Sequence, residues 1–466
     1  MSGGAWADGD APSALDAPTG WGDAADVPSA FDILDEPLAH PGWGAAADVP
    51  DALADPLAEL PGPRRVITPS GRTLAAATAR RIRLATPANT RRGRESRAAL
   101  FVTWCREHGR LPGDPGTVPD YVAFLADRGH QPETLETYAG TLAHVLALNG
   151  SPLDAEDRSY ISAVVNHRAA EAAADVDGAG DALQATACSR EDLAAMLATL
   201  DRTTVAGRRD ACALTLAWYM AGRASEPASM NIRDVTEDVA EVIDASGTLV
   251  ELPALVITLR RSKTNPHGRT VDRVRIVAQD DVTCPLAAWR AWRQVLAAAE
   301  VERGPLLRRV KNDKLTTAGR RSADPDRAGG IGDRTIRNLI RSAAAAAGLT
   351  RALSLEERRL LSTTAEAEQL AALAEAEREA FAADRRRARR LLRHSMRRYS
   401  GHSMRRGHVR HLQKLGTPRH IIETHCRYVP GSKALARYLD DTLPWQDNPT
   451  VAMRRAPGRP GAPRGA

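Results

Sequence analysis

Apolar residues recur at helical spacing along most of this chain and alternate with a period of two in only two short stretches. The sequence can therefore bury a core only as packed helices around a small sheet. Helical signals begin near Arg80. Leu100, Phe101, Trp104 and Cys105 form an i, i+1, i+4, i+5 face that predicts a helix from about Thr90 to His108. Thr117 opens a second helix with Tyr121, Phe124 and Leu125 inward. Thr134 to Leu148 is a third, carrying Leu135, Tyr138, Leu142 and Val145, and Ser159 to Ala173 a fourth. No strand signal interrupts them. The arginines Arg80, Arg81, Arg83, Arg91, Arg92 and Arg94 give this bundle (78–175) one basic end, a candidate DNA-binding surface. The Gly/Ala/Asp-rich stretch around Ala172–Asp181 leads into a linker, 176–188.

A second domain, 189–446, starts at Ser189, where Ser189 and Asp192 have the spacing of a capping box. A helix over Arg208–Ala221 buries Ala213, Leu214, Leu216, Ala217 and Met220. The two alternating stretches, Leu255–Leu259 and Val271–Val277, form a hairpin whose tip holds Lys263. Helices return at Pro285–Ala299 and Asp333–Ala347. Leu355–Arg393 reads as one long charged helical stretch inside an insertion near 355–398, and three more helices fit between Met404 and Leu439. Residues 447–466 read as a flexible basic tail.

Charge bounds the partners. The net +6 divides into −12 over residues 1–62, which hold twelve acids and no Lys or Arg, and +18 over the rest. A body that basic suits a polyanion, because Lys and Arg gain affinity by releasing counterions from phosphates. A soluble Arg-rich enzyme with mixed charges fits the charge equally well. The acidic segment repeats GWGDAADVPSAFD (from Gly20) as GWGAAADVPDALAD (from Gly42) and reads, to about residue 70, as a disordered tail. Five scattered cysteines, none in a CxxC pair, argue against disulfides and zinc and for a reducing cytoplasm. With no membrane-length apolar run and no signal-peptide pattern, a soluble intracellular protein without membrane contact is expected.

Of the 64 basic residues only five are Lys, so a lysine marks a place where the default cation has been passed over. Chemistry-bearing residues fall into four groups: Gly222-Arg223-Ala-Ser-Glu226, Lys263 in RSKTNPHGR, His402 and Arg405 in SGHSMRRG, and Tyr438 in LARYLDD. Singly each is unremarkable; an Arg beside a Glu is a routine ion pair, and a helix tyrosine is more often core. In this order and spacing they resemble the tyrosine recombinase (phage integrase) family, over roughly Leu84 to Leu443.

That resemblance implies a mainly α fold with a small β-hairpin or sheet (α+β): a helical SAM-like core-binding domain and a catalytic domain closing as a C-shaped clamp on DNA. It implies that Tyr438 attacks a phosphodiester to form a 3′-phosphotyrosyl bond. Arg223, supported by Glu226, and Arg405 would clamp the phosphate. His402 would bond the phosphate or assist deprotonation, and Lys263 would protonate the leaving 5′-oxygen. The bond energy is retained covalently, so neither ATP, metal nor other cofactor is required. Partners would be double-stranded DNA at specific sites, further copies of the chain in a tetramer on two sites, and an accessory directionality factor. The expected location is the bacterial cytoplasm, on the nucleoid.

Two departures stand out. HSMRR occurs at His394–Arg398 and again at His402–Arg406; Arg405 lies 33 residues before Tyr438 and Arg397 lies 41 before it, and the family spacing favours the second copy. The family's His/Trp position falls on Tyr428, with His425 the nearby alternative. Two other functions stay open at this point. A type IB topoisomerase shares the residue set, and a degenerate relative would only bind DNA.

Overall fold

The computed structural model describes residues 65–67, 73–244, 246–260, 262, 265, 268–316 and 328–439. The acidic segment 1–62, Lys263 and the basic tail 447–466 lie outside them. The described chain is mostly helical with small antiparallel sheets. It divides into two compact units: the chain up to Leu183 together with Leu353–Ser395, and Gln184–Ala352 together with the chain from Met396 onward.

In the first unit a two-stranded ribbon, β1 (Arg65–Ile67) and β2 (Thr73–Ala75), precedes five helices. Three-residue strands are too short to show alternation, so the sequence gives no sign of them. The helices are α1 (Ala76–Ala85), α2 (Ala88–Glu107), α3 (Thr117–Asp127), α4 (Pro132–Leu148) and α5 (Ala155–Ala174). Their core is the predicted one, with Phe101, Trp104, Tyr121, Leu125, Leu135 and Leu142 buried. Tyr121 packs its ring 5.2 Å from both Phe101 and Trp104.

The charged stretch is helical as expected and folds as three helices: α11 (Leu355–Leu361), α12 (Thr363–Ala372) and α13 (Glu375–His394). Ser362 ends α11 and caps α12 by accepting from Ala365 N, a competition between hydroxyl and backbone that breaks the run. The α13 arginines are spent on internal acceptors. Arg389 Nε donates to Leu360 O at 2.6 Å, Arg385 Nη2 to Arg359 O at 2.5 Å, and Arg390 Nη2 to Asp181 O at 2.5 Å. Orphan carbonyls at helix ends are natural targets for such cations.

The second unit opens on α6 (Arg190–Ala198), with the capping box of Ser189 and Asp192 formed as its spacing predicts. Helix α7 (Val205–Tyr219) is buried from Ala211 through Tyr219. A short α8 (Ser225–Ser229) leads to a three-stranded antiparallel sheet: β3 (Val235–Ile243), β4 (Leu249–Leu259) and β5 (Asp272–Val277), in that order. Strands β4 and β5 are the predicted hairpin, with Leu255 opposite Ile276. Strand β3 gives no alternating signal because only Val235 is buried along it, and Glu237, Asp238 and Glu241 fall on both faces. Helices α9 (Pro285–Ala298) and α10 (Asp333–Ala346) follow, separated by a short ribbon of β6 (Val310–Lys311) and β7 (Lys314–Leu315). The unit ends with α14 (Gly401–Lys414), α15 (Arg419–His425) and α16 (Lys433–Ala436). Helix α14 lies hard against the chain entering α6: a Cβ on Gly407 would stand 1.7 Å from Cys188 O.

Candidate functional site

The site is built on the buried C-terminal end of α7. Gly222 N donates to Ala217 O at 2.9 Å and Ala221 N to Trp218 O at 3.0 Å, with Ala221 left-handed at φ +45°. This is the Schellman pattern with Ala in glycine's usual place. It leaves the carbonyls of Tyr219, Met220 and Ala221 needing donors in a buried place. Side chains of the C-terminal segment supply them: His425 Nε2 lies 3.2 Å from Tyr219 O, Arg427 Nη1 2.8 Å from Met220 O, and Arg405 Nη1 2.6 Å from Ala221 O. Since a carbonyl only accepts, His425 carries its proton on Nε2.

Arg405 is 1% exposed. Besides Ala221 O it donates through Nη2 to Cys426 O at 2.6 Å and through Nε to the Tyr428 hydroxyl at 2.7 Å, and the Tyr428 ring lies 4.2 Å from its guanidinium carbon. Burial, against the pull of Arg405, pushes the Tyr428 phenol up to about 12. Tyr428 therefore stays protonated near neutrality. Its oxygen accepts from Arg405 while its own O–H remains available to a further acceptor. The Tyr438 ring stands 6.2 Å from the Tyr428 ring at 68°, half-buried on the small cluster of Ala221, Val409, Ile422, Cys426 and Leu435.

Glu226, 2% exposed at its side chain, joins the other arginines. Its Oε1 accepts from Arg223 Nη1 at 3.1 Å, and its Oε2 from Arg223 N at 3.1 Å and from Arg427 Nη2 at 2.7 Å. Arg427 is the residue that sequence reasoning missed. Its side chain is 8% exposed and its backbone is left-handed at φ +57°, a conformation costing a non-glycine residue about 1–2 kcal/mol. No motif signals it. Among the described residues, Arg223 and Arg427 thus share the Glu226 carboxylate, with Asp272 acting on Arg427 at longer range, while Arg405 donates only to neutral oxygens, those of Ala221, Cys426 and Tyr428. The cluster has more guanidinium than carboxylate charge, two of its three arginines are buried, and such a surplus favours an anion.

Residues about two hundred positions apart therefore meet: Arg223, Glu226, Arg405, Tyr428 and Tyr438 are linked through direct contacts and Arg427. His402 is exposed in the first turn of α14, one turn before the buried Arg405. Tyr399 is elsewhere: it is 4% exposed and donates its hydroxyl to Asp192 Oδ2 at 2.9 Å. Arg397, from the first HSMRR copy, pairs with the same carboxylate at 3.0 Å. In the first unit Arg80, Arg81 and Arg92 are exposed; Arg91 donates to Thr86 O at 3.1 Å and Arg94 contacts His144 at 2.7 Å. The Arg83 side chain lies outside the described residues.

No family model matches the chain, and no curated protein matches it. Among solved structures it is similar to the XerH site-specific recombinase, crystallised on its palindromic difH substrate in a post-cleavage complex. Identity is 12%, the match covers 76% of this chain and 77% of that one, and the TM-score is 0.42. A likeness at that level decides nothing about function.

Beneath the site, His408 is buried with neither ring nitrogen hydrogen-bonded, perpendicular to Trp218 at 4.7 Å and stacked on His425 at 5.1 Å. Burial holds both imidazoles below the ordinary value of 6.5. Unfolding therefore takes up protons below pH 6.5, so the stabilisation from keeping them neutral is complete above that pH and is lost as pH falls. Each should cost the folding equilibrium up to about tenfold per pH unit in that window. Urea titrations at pH 7.5 and 5.5 should show a lower midpoint at 5.5, and His408→Phe should flatten the difference; equal midpoints would contradict this. Among the described residues no cluster of three or more His, Cys, Asp or Glu side chains could hold a metal ion, and no helix is long and apolar enough to cross a membrane.

Proposed function

We propose that this chain cuts and rejoins DNA as a tyrosine-type site-specific recombinase, serving integration or excision of a mobile element. The observation that carries the reading is the guanidinium cluster of buried Arg405 and Arg427 and part-exposed Arg223, with Glu226 as its hydrogen-bonded carboxylate, beside two neighbouring phenols, Tyr428 and Tyr438. A phosphodiester supplies the missing anion, and a phenol supplies the nucleophile.

The roles follow from exposure and hydrogen bonding. Arg223, whose side chain is 22% exposed, meets a non-bridging oxygen directly. Arg405 is covered, and acts through Tyr428, whose free O–H donates to the phosphate as charge develops there. Tyr438 attacks phosphorus, the bond to the 5′-oxygen breaks, and a 3′-phosphotyrosyl link forms. His402 takes the phenolic proton and Lys263 gives one to the departing oxygen. Reversal with a different 5′-hydroxyl rejoins the strand. The DNA is double-stranded, with a tetramer on two paired sites as the working unit and an accessory factor setting direction.

The test sequences the DNA flanking the gene and builds duplexes on any short direct repeats found there, nicked so that the cleaved end diffuses away. A covalent protein–DNA band on a denaturing gel is expected. Relaxation of supercoiled plasmid lacking any such repeat would point to a topoisomerase instead, and binding without either product would leave a DNA-binding protein.

A further inference from the structure

We propose that Arg427 is a positioning residue of this site, which locks the turn Cys426–Tyr428 to Glu226 and to the end of α7 and so holds the Tyr428 hydroxyl on Arg405. Its effect on cleavage rests on the recombinase reading; its effect on Tyr428 does not.

The first support is conformational. Arg427 is left-handed at φ +57°, between α15 and the segment leading to Tyr438, in a turn where glycine would be free of strain. A long, charged side chain there must be held by what it touches. It touches two things. Nη1 donates to Met220 O at 2.8 Å and Nη2 to Glu226 Oε2 at 2.7 Å. The turn is also closed by Arg427 N to Thr424 O at 3.2 Å and Tyr428 N to Glu423 O at 2.8 Å. The side chain is thus the part of the turn that reaches across to α7 and α8.

The second support is the shape of the neighbourhood. Met220 and Ala221 are consecutive, and their carbonyls accept from Arg427 and Arg405 respectively. Tyr428, the next residue along, accepts from Arg405. Arg427 therefore anchors one side of a closed circuit: Met220 to Ala221, to Arg405, to Tyr428, and back to Arg427. Removing it opens the circuit beside the residue whose hydroxyl must be aimed.

The third is electrostatic. Glu226 divides its charge between Arg223 and Arg427. Without Arg427 the carboxylate would neutralise Arg223 alone, and the exposed guanidinium would lose part of its pull on a phosphate. Arg427 does not reach a substrate itself, because its donors point at Met220 and Glu226 and its side chain is 8% exposed.

The experiment compares Arg427→Gly, which deletes the side chain while suiting the left-handed backbone, with Arg427→Lys, which keeps the charge. Single-turnover cleavage of the nicked duplex should fall about 10²-fold in the glycine variant, as misplacement of a reacting group does. DNA affinity should stay within a few-fold, and lysine should recover part of the rate. In ring-labelled protein, the Tyr428 ring resonances (assigned with Tyr428→Phe) should move in the glycine variant as the hydroxyl leaves Arg405, and return part-way with lysine. Unchanged Tyr428 resonances overturn the proposal, whether or not cleavage falls. An absence of covalent product in the unaltered protein would sink the recombinase reading, while the Tyr428 resonances would still decide the role of Arg427.

Discussion

Changing Tyr438 to Phe is expected to abolish covalent attachment to DNA while leaving binding within a few-fold. The substitution removes one oxygen from a half-buried ring that packs on Ala221, Val409 and Leu435, so the cluster keeps its shape. What disappears is the proposed nucleophile. Tyr428→Phe should behave differently. It removes the acceptor of Arg405 Nε and the O–H proposed to face the phosphate, so cleavage should slow by about 10²-fold without vanishing. It should also cost stability, about 1–3 kcal/mol, because a buried guanidinium N–H loses its partner. Gel assays of covalent product and binding, run on both variants, separate the two. Equal rates in Tyr428→Phe and the unaltered protein would remove Tyr428 from the mechanism.

Arg405→Ala is expected to cost about 4 kcal/mol of stability before any question of catalysis arises. Two buried carbonyls, Ala221 O and Cys426 O, and the Tyr428 hydroxyl would lose a charged donor together, at about 1–3 kcal/mol for each buried carbonyl left unpaired. These bonds join the end of α7 to α14 and to the turn after α15, so the second unit should loosen as a whole. Denaturant melts should show a midpoint shift well beyond that of Arg223→Ala, whose side chain lies nearer the surface. A midpoint equal to that of Arg223→Ala would mean the buried network contributes little. Loss of activity in Arg405→Ala therefore reports on folding and chemistry at once, whereas Arg223→Ala reports mainly on the phosphate.

The helices were legible because their apolar faces are continuous. Phe101, Trp104 and Tyr121 pack as their spacing predicts, and Ser189 caps α6 as its distance from Asp192 predicts. Strand β3 was hidden because it buries little beyond Val235, and the first break in the charged stretch turns on Ser362, a single hydroxyl inside an Ala/Glu/Arg run. Within the site, Arg223, Glu226, Arg405, Tyr428 and Tyr438 could be named because motif order singles them out. Their burial could not be read that way. Arg405 looked like an open phosphate clamp and lies 1% exposed, since the carbonyls at the end of a helix become known only once the chain is folded. Arg427 was invisible for the same reason: its role depends on Met220 and Glu226, two hundred residues away in sequence.

The central claim is that Tyr438 carries the DNA. The most direct measurement is to trap the unaltered protein on the nicked duplex, digest protein and DNA, and locate the nucleotide-bearing peptide by mass spectrometry. The modified peptide should contain Tyr438, with Tyr428 and Tyr399 unmodified. A nucleotide on any other residue, or a trapped complex that dissolves in denaturant without a covalent bond, would contradict it.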